Sequence, residues 1–220
     1  MIAATDIEQR LRDLIGNIDP ADPKGRRRRK ILEAARDSFI TVGYNKTSIG
    51  EIARAAGVAK GTVYLYFAAK IDLLLAAVAL EKLEALPAFI NIFTGDVPPR
   101  ERLRLYITGS LQLCRSAPLI ARLMAGDEEM ATVLADVDPE LLQQSTVDRD
   151  ALLGRMVDEA ARPHRWNAIE LRDRARVITS LAYLAPHLNA EHIRDGLDVE
   201  RYATILADLI VDGIHPGGEP

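Results

Sequence analysis

Apolar residues recur along this chain at intervals of three and four, and no convincing alternation of period two interrupts them. Between Arg27 and Val42, the residues Ile31, Leu32, Ala35, Phe39 and Val42 form one stripe, and Gly43 stands where a helix C-cap belongs. The spacing predicts a helix over that stretch. The next helix opens on Ser48 and Glu51, an S-x-x-E capping box, and turns Ile49, Ile52, Ala53 and Ala56 inward. Gly57 permits a sharp turn and Val58 fills the angle after it. A short helix over Lys60–Phe67 then directs Val63 and Phe67 inward. Two short helices joined by a tight turn make the layout that reads the DNA major groove.

The same periodicity predicts helices near 72–93, 99–116, 118–124, 127–136, 139–161, 167–189 and 198–213, with a kink at Pro87. Pro98, Pro99, Pro118, Pro139 and Pro163 punctuate them, and Asp127, Glu128 and Glu129 suit a helix start. An all-α protein of about nine helices follows. Its expected parts are an N-terminal extension (1–23), a helix-turn-helix domain (24–71) and a helical ligand-binding and dimerisation domain (72–220). In the extension, Ile7, Leu11, Leu14, Ile15 and Ile18 have helical spacing before Pro20 and Pro23 break it. A docked helix and a poorly ordered tail both fit.

The last two helices carry more apolar surface than one neighbour needs. In 198–213, Tyr202, Ile205, Leu206, Leu209, Ile210 and Gly213 share a face. In 167–189, Val177, Leu181, Leu184 and Leu188 form one stripe and Ala175, Ile178, Ala182 and Ala185 another. The pair is expected to build a four-helix bundle with a second copy, the alternative being packing wholly inside the monomer.

Charge sharpens the division. The chain of 220 residues has a net charge of −4, yet residues 24–70 hold eleven Lys/Arg against three Asp/Glu, a net +8, which leaves −12 for the remainder. A basic module on an acidic body confines nucleic-acid contact to one end. Cys114 is the only cysteine, so no intrachain disulfide can form. MIAATDIEQR lacks a basic region followed by an apolar run, and the longest apolar run, Leu73–Leu80, is far too short to span a bilayer. A cytoplasmic protein without membrane attachment is expected.

At the basic end, Lys60 can reach phosphate or guanine, and Gly61 bares the backbone. Thr62 offers a hydroxyl and a methyl, and Tyr64 and Tyr66 offer phenols to phosphate. Thr47, Ser48 and Lys70 are placed for flanking phosphates, although capping alone would account for Ser48. The run Arg26–Lys30, with Arg27 and Arg28, would add salt-dependent affinity or enter a minor groove.

The segment Arg29–Leu74 resembles the DNA-binding domain of the tetracycline-repressor (TetR) family of bacterial regulators. The resemblance rests on A-x-x-x-F-x-x-x-G-Y (Ala35, Phe39, Gly43, Tyr44), T-S-I-x-x-I-A-x-x-A-G-V (Thr47–Val58) and K-G-T-V-Y-x-Y-F-x-x-K (Lys60–Lys70). It implies a homodimeric repressor that binds a palindromic operator and is released by a small-molecule effector, with no cofactor. It further implies that the effector sits among the C-terminal helices and shifts the helix at 72–93. Departures are Ala69 where a polar cap is usual, Ile71 where an acid is usual, and an N-terminal arm longer than the family's.

Candidate cavity residues are Phe89, Phe93, Leu103, Tyr106, Ile107, Cys114, Met124, Met130, Met156, Trp166, Tyr183 and His187, although for any one of them taken singly plain packing is the better reading. His164, His187, His192 and His215 lack metal-ligand spacing, and neither a Gly-rich phosphate loop nor G-x-S-x-G occurs. An enzyme is therefore not expected. A helical adaptor whose basic end docks an acidic partner is the remaining alternative to a DNA-binding regulator.

Overall fold

The computed structural model describes residues 4–94, 96–135, 139–162 and 166–214. The helices are α1 (Ala4–Ile15), α2 (Pro23–Thr41), α3 (Ile49–Ala55), α4 (Lys60–Tyr64), α5 (Lys70–Thr94), α6 (Pro99–Ser116), α7 (Pro118–Met124), α8 (Glu128–Ala135), α9 (Pro139–Ala161), α10 (Ala168–Ser180), α11 (Glu191–Arg194) and α12 (Val199–Asp212). A 3-10 stretch, Leu181–Asn189, lies between α10 and α11. The described residues contain no strand, so the fold is all-α. They form two compact units: the chain up to Leu86 with Ala117–Ala135, and Pro87–Ser116 with Asp136 onward.

The first unit is built on α2, whose Ile31, Leu32, Ala35 and Phe39 are fully buried against Ile52, Val63, Leu73, Leu74 and Leu80. α2 starts at Pro23, four residues before the expected Arg27. Pro23 occupies the first helical position, where its missing N–H costs nothing, and the Asp22 carboxylate caps Lys24 N at 3.0 Å. The basic run therefore lies inside the helix rather than ahead of it. Residues 4–15 form a docked helix and not a loose tail, with Leu11 and Ile15 buried in the core of this unit. The capping box of α3 has both of its bonds, Glu51 N to Ser48 Oγ and Ser48 N to Glu51 Oε2. At the start of α5 the Asp72 carboxylate accepts from Ala69 N at 2.8 Å, the acidic half of a capping box whose other half Ala69 has no side-chain oxygen to make.

Residues 117–135 join this unit through polar contacts. The Glu81 side chain of α5 is 2 % exposed, and its two oxygens accept the first free amides of α7, Leu119 N at 3.2 Å and Ile120 N at 3.0 Å. A carboxylate suits a helix N-terminus electrostatically as well as sterically. Burial still raises its pKa, the amides of Ile120 and Leu119 and the nearby Arg36 pulling it partly back. Arg122 of α7 donates to Phe39 O at 2.6 Å and pairs with Asp127 and Glu129, and Glu129 also accepts the Asn45 amide.

In the second unit α6 packs against α9, α12 and the 3-10 stretch, with Leu103, Ile107, Leu111 and Cys114 buried. The helix expected over 167–189 is not continuous. α10 ends at Ser180 and the chain tightens into 3-10 geometry around Pro186, which cannot donate to the carbonyl four residues back. α12 turns inward a face other than the one its larger apolar residues share. Its buried face is Ala203, Ala207 and Val211, because these small side chains let α6 come close. The pairs Arg104–Asp208, at 2.5 Å, and Arg100–Asp212, at 3.0 Å, run alongside that contact. The larger residues of the expected face are half-buried, and Leu209 is 68 % exposed. On α10 the Ala175 and Ile178 stripe packs inside the unit while Val177 is 64 % exposed.

Candidate nucleic-acid interface

α4 is held from behind. Val63 and Phe67 enter the core, and the turn before the helix is closed by Val58 N bonding Ala53 O at 2.9 Å with Gly57 at φ +68°. That orientation leaves Lys60, Gly61, Tyr64 and Leu65 exposed and Thr62 half-buried. A Cβ built on Gly61 would meet nothing within 4 Å, so no neighbour in the chain demands glycine there. Its effect is to leave the backbone bare toward an outside partner.

The other expected contact residues divide into two groups. Arg27 is exposed, and so is Ser48, whose hydroxyl is engaged with Glu51. That bond holds the Glu51 carboxyl below its usual pKa. Thr47, Lys70 and Arg28 turn inward. Thr47 is buried and donates to Gly43 O at 2.6 Å. The Lys70 ammonium donates to Tyr44 O at 2.8 Å and Thr47 O at 3.1 Å and lies 4.2 Å from the centre of the Tyr44 ring. Burial, and to a lesser degree Asp72, raises the Tyr44 phenol. Arg28 donates to Ile15 O at 3.0 Å, with its guanidinium 5.1 Å from the centre of the Tyr66 ring and 5.2 Å from that of Phe67. Burial lowers its pKa from the usual arginine value, and Tyr66 opposes that shift. Tyr66 is half-buried and packs on the core.

Leu65 is absent from the expected set yet is 83 % exposed, more than any other large apolar side chain described. The signal was available, since two inward residues at 63 and 67 force position 65 outward. An apolar side chain there can meet a thymine methyl.

The candidate cavity residues are dispersed. Met124 and Met130 belong to the first unit, Met130 fully buried in its core. In the second, Phe89 meets Tyr106 edge-on with ring centres 5.9 Å apart, and Leu103, Ile107, Cys114 and Met156 are buried. Trp166 is half-buried with the Arg174 guanidinium 3.3 Å from its ring centre, whereas Tyr183 and His187 are exposed. The Phe93 side chain, His164 and His215 lie outside the described residues. Among those described, no cluster of His, Cys, Asp and Glu could hold a metal, and no helix is long and apolar enough to cross a membrane.

The Escherichia coli K12 HTH-type transcriptional regulator RutR is 32% identical over 127 residues, covering 58% of this chain and 57% of that protein. The Bacillus subtilis fatty acid metabolism regulator protein is 33% identical over 108 residues, covering 47% of this chain and 48% of its own. The chain thus spans about half the length of the curated relatives it matches. Among solved structures, the B. subtilis regulator FadR in complex with stearoyl-CoA superposes with a TM-score of 0.61 at 22% identity, over 85% of this chain and 99% of that one. These relatives are named as regulators and not as enzymes. A sequence profile described as "Bacterial regulatory proteins, tetR family" matches residues 31–77, which span α3, α4 and parts of α2 and α5, and this region is a TetR-family DNA-binding domain.

Proposed function

We propose that this protein is a cytoplasmic, homodimeric transcriptional repressor that binds a palindromic operator and releases it when a small molecule enters the C-terminal helices. The observation that carries the reading is the outward face of α4: Lys60, Gly61, Tyr64 and Leu65 project from a helix fixed by Val63 and Phe67. Lys60 and Arg27 supply phosphate contacts, Thr62 and Leu65 meet base edges, and Tyr64 and Tyr66 donate to the backbone and set register. Thr47 and Lys70 act from within, tying the α2–α3 turn to the start of α5. Ser48 divides its hydroxyl between capping and the duplex.

Dimerisation is supported by the exposed apolar residues Val177, Tyr183 and Leu209, which fit a bundle with a second copy. Two copies of α4 would then sit about 34–36 Å apart on one face of the duplex. For the effector, Phe89, Tyr106, Ile107, Cys114 and Met156, all in the second unit, are the candidate wall residues, and the stearoyl-CoA bound by the superposed FadR makes acyl-coenzyme A thioesters the first class to test. A preference of about 1–3 kcal/mol for the DNA-incompetent state would change operator affinity roughly 5–150-fold.

The test is selection from a random duplex library by the full-length protein, followed by the salt dependence of the selected duplex. A palindrome with a steep salt slope supports the reading. No enrichment at low salt, with and without acyl-coenzyme A, would defeat it.

A further inference from the structure

The N-terminal extension packs too closely to be an incidental tail. A Cβ on Gly25 of α2 would stand 2.5 Å from Asp19 O and 2.7 Å from Asp19 N, so the connector lies directly on the α2 backbone. A Cβ on Gly16, which sits at φ +74°, would stand 2.4 Å from Arg28 Nη1. Both glycines clear space for the path that ends with Arg28 bonded to Ile15 O. Leu11 and Ile15 anchor that path in the core, and Arg26 donates to Pro20 O at 2.6 Å along it.

The path terminates on Tyr66. This residue lies beyond the last helical residue of α4, Tyr64, and one side of its ring rests on the core. The Arg28 guanidinium adds a second support, 5.1 Å from the centre of the Tyr66 ring and 5.2 Å from that of Phe67, and is fixed by the Ile15 carbonyl. A guanidinium so placed has already spent a donor and a face within the protein.

We propose that α1 and its connector are a permanent fourth helix of the DNA-binding region, and that through them Arg28 acts as a positioning residue, holding the Tyr66 phenol for a DNA phosphate instead of contacting DNA itself. The proposal rests on the DNA-binding reading above. It separates Arg28 from Arg27, its exposed neighbour.

The experiment uses full-length protein, the selected duplex, and the variants Arg28→Gln, Tyr66→Phe, their double and Gly25→Ala, with thermal melts to confirm folding. Arg28→Gln and Tyr66→Phe should each weaken binding about tenfold, the size of one lost hydrogen bond to a charged group. The double variant should be no weaker than the weaker single, because both remove the same contact. Gly25→Ala should reproduce the loss by lifting the connector. The salt slope of Arg28→Gln should equal that of wild type. A double variant weakened about a hundredfold, as independent contacts require, overturns the proposal. So does a slope reduced by about one, the mark of a lost phosphate contact. Unchanged affinity in Arg28→Gln overturns it too. A readout without DNA keeps the two readings apart. Hydrogen–deuterium exchange over residues 60–67 of the free protein should rise in Gly25→Ala and Arg28→Gln, and unchanged exchange defeats the proposal whatever the duplex does. Failure of wild type alone to bind any duplex defeats the repressor reading instead.

Discussion

α4 in the first unit and α12 in the second present different kinds of outer face. On α4 Gly61 bares the backbone between the polar-tipped Lys60 and Tyr64 outside, while Val63 is inside. On α12 the small residues Ala203 and Ala207 are inside, and the bulky Leu209 is outside. A bare outer backbone suits a surface that must be approached closely by something hydrated and charged. A bulky apolar outer face suits one that is dried by a partner of its own kind. The polar groups follow the same division. In the first unit Glu81, Thr47 and Lys70 are spent on backbone groups that fix loops and helix ends. Along α12 the charges pair with one another near the surface, as in Arg104–Asp208 and Arg100–Asp212.

The contrast can be broken at several points. Glu81→Ala should have the largest effect, lowering stability by about 3 kcal/mol, because it strands buried amides at the start of α7. Denaturant unfolding checks this, and a loss under about 1 kcal/mol would show that water replaces the carboxylate. Acidity gives a subtler version. With the folded pKa of Glu81 raised above its ordinary 4.5, its contribution is fully present below that value and is lost as pH rises through the raised one. Stability should therefore decline across that window in wild type, and the decline should be absent in Glu81→Gln. Next, Thr47→Val should cost about 1 kcal/mol and weaken DNA binding only as far as it loosens the fold. A much larger loss of affinity at unchanged stability would return Thr47 to the duplex. Leu209→Ala should be smallest, under about 0.5 kcal/mol for an exposed side chain at dilute concentration, while shifting the monomer–dimer equilibrium seen by sedimentation. An unchanged sedimentation profile would remove α12 from the dimer.

What the sequence made legible was whatever depends on near neighbours. The Ser48–Glu51 box, the Gly57 turn and the inward Val63 and Phe67 are all settled within a few residues. Pro23 misled because proline both breaks helices and begins them, and only the Asp22 cap decides which. The same applied to residues 167–189, where a helical period continues across Pro186 although the backbone does not. The inner face of α12 was hidden for another reason: alanines score weakly in any apolar pattern, yet close approach selects them. Least legible were partners far apart in the chain. Nothing local to Glu81 announces an amide 38 residues away, and nothing near Arg28 points to Ile15 O instead of a phosphate.

The assignment of residues 117–135 to the same compact unit as α2–α4 has a practical consequence for recombination. A chimera made by exchanging only the first 71 or 86 residues would part Arg122 from Phe39 O and Glu129 from Asn45 N. It would also leave Leu119 and Met130 to repack against a foreign surface. The heritable module here is discontinuous. Its two stretches must travel together, and natural exchange of the first alone should be penalised unless compensating changes arise in the second.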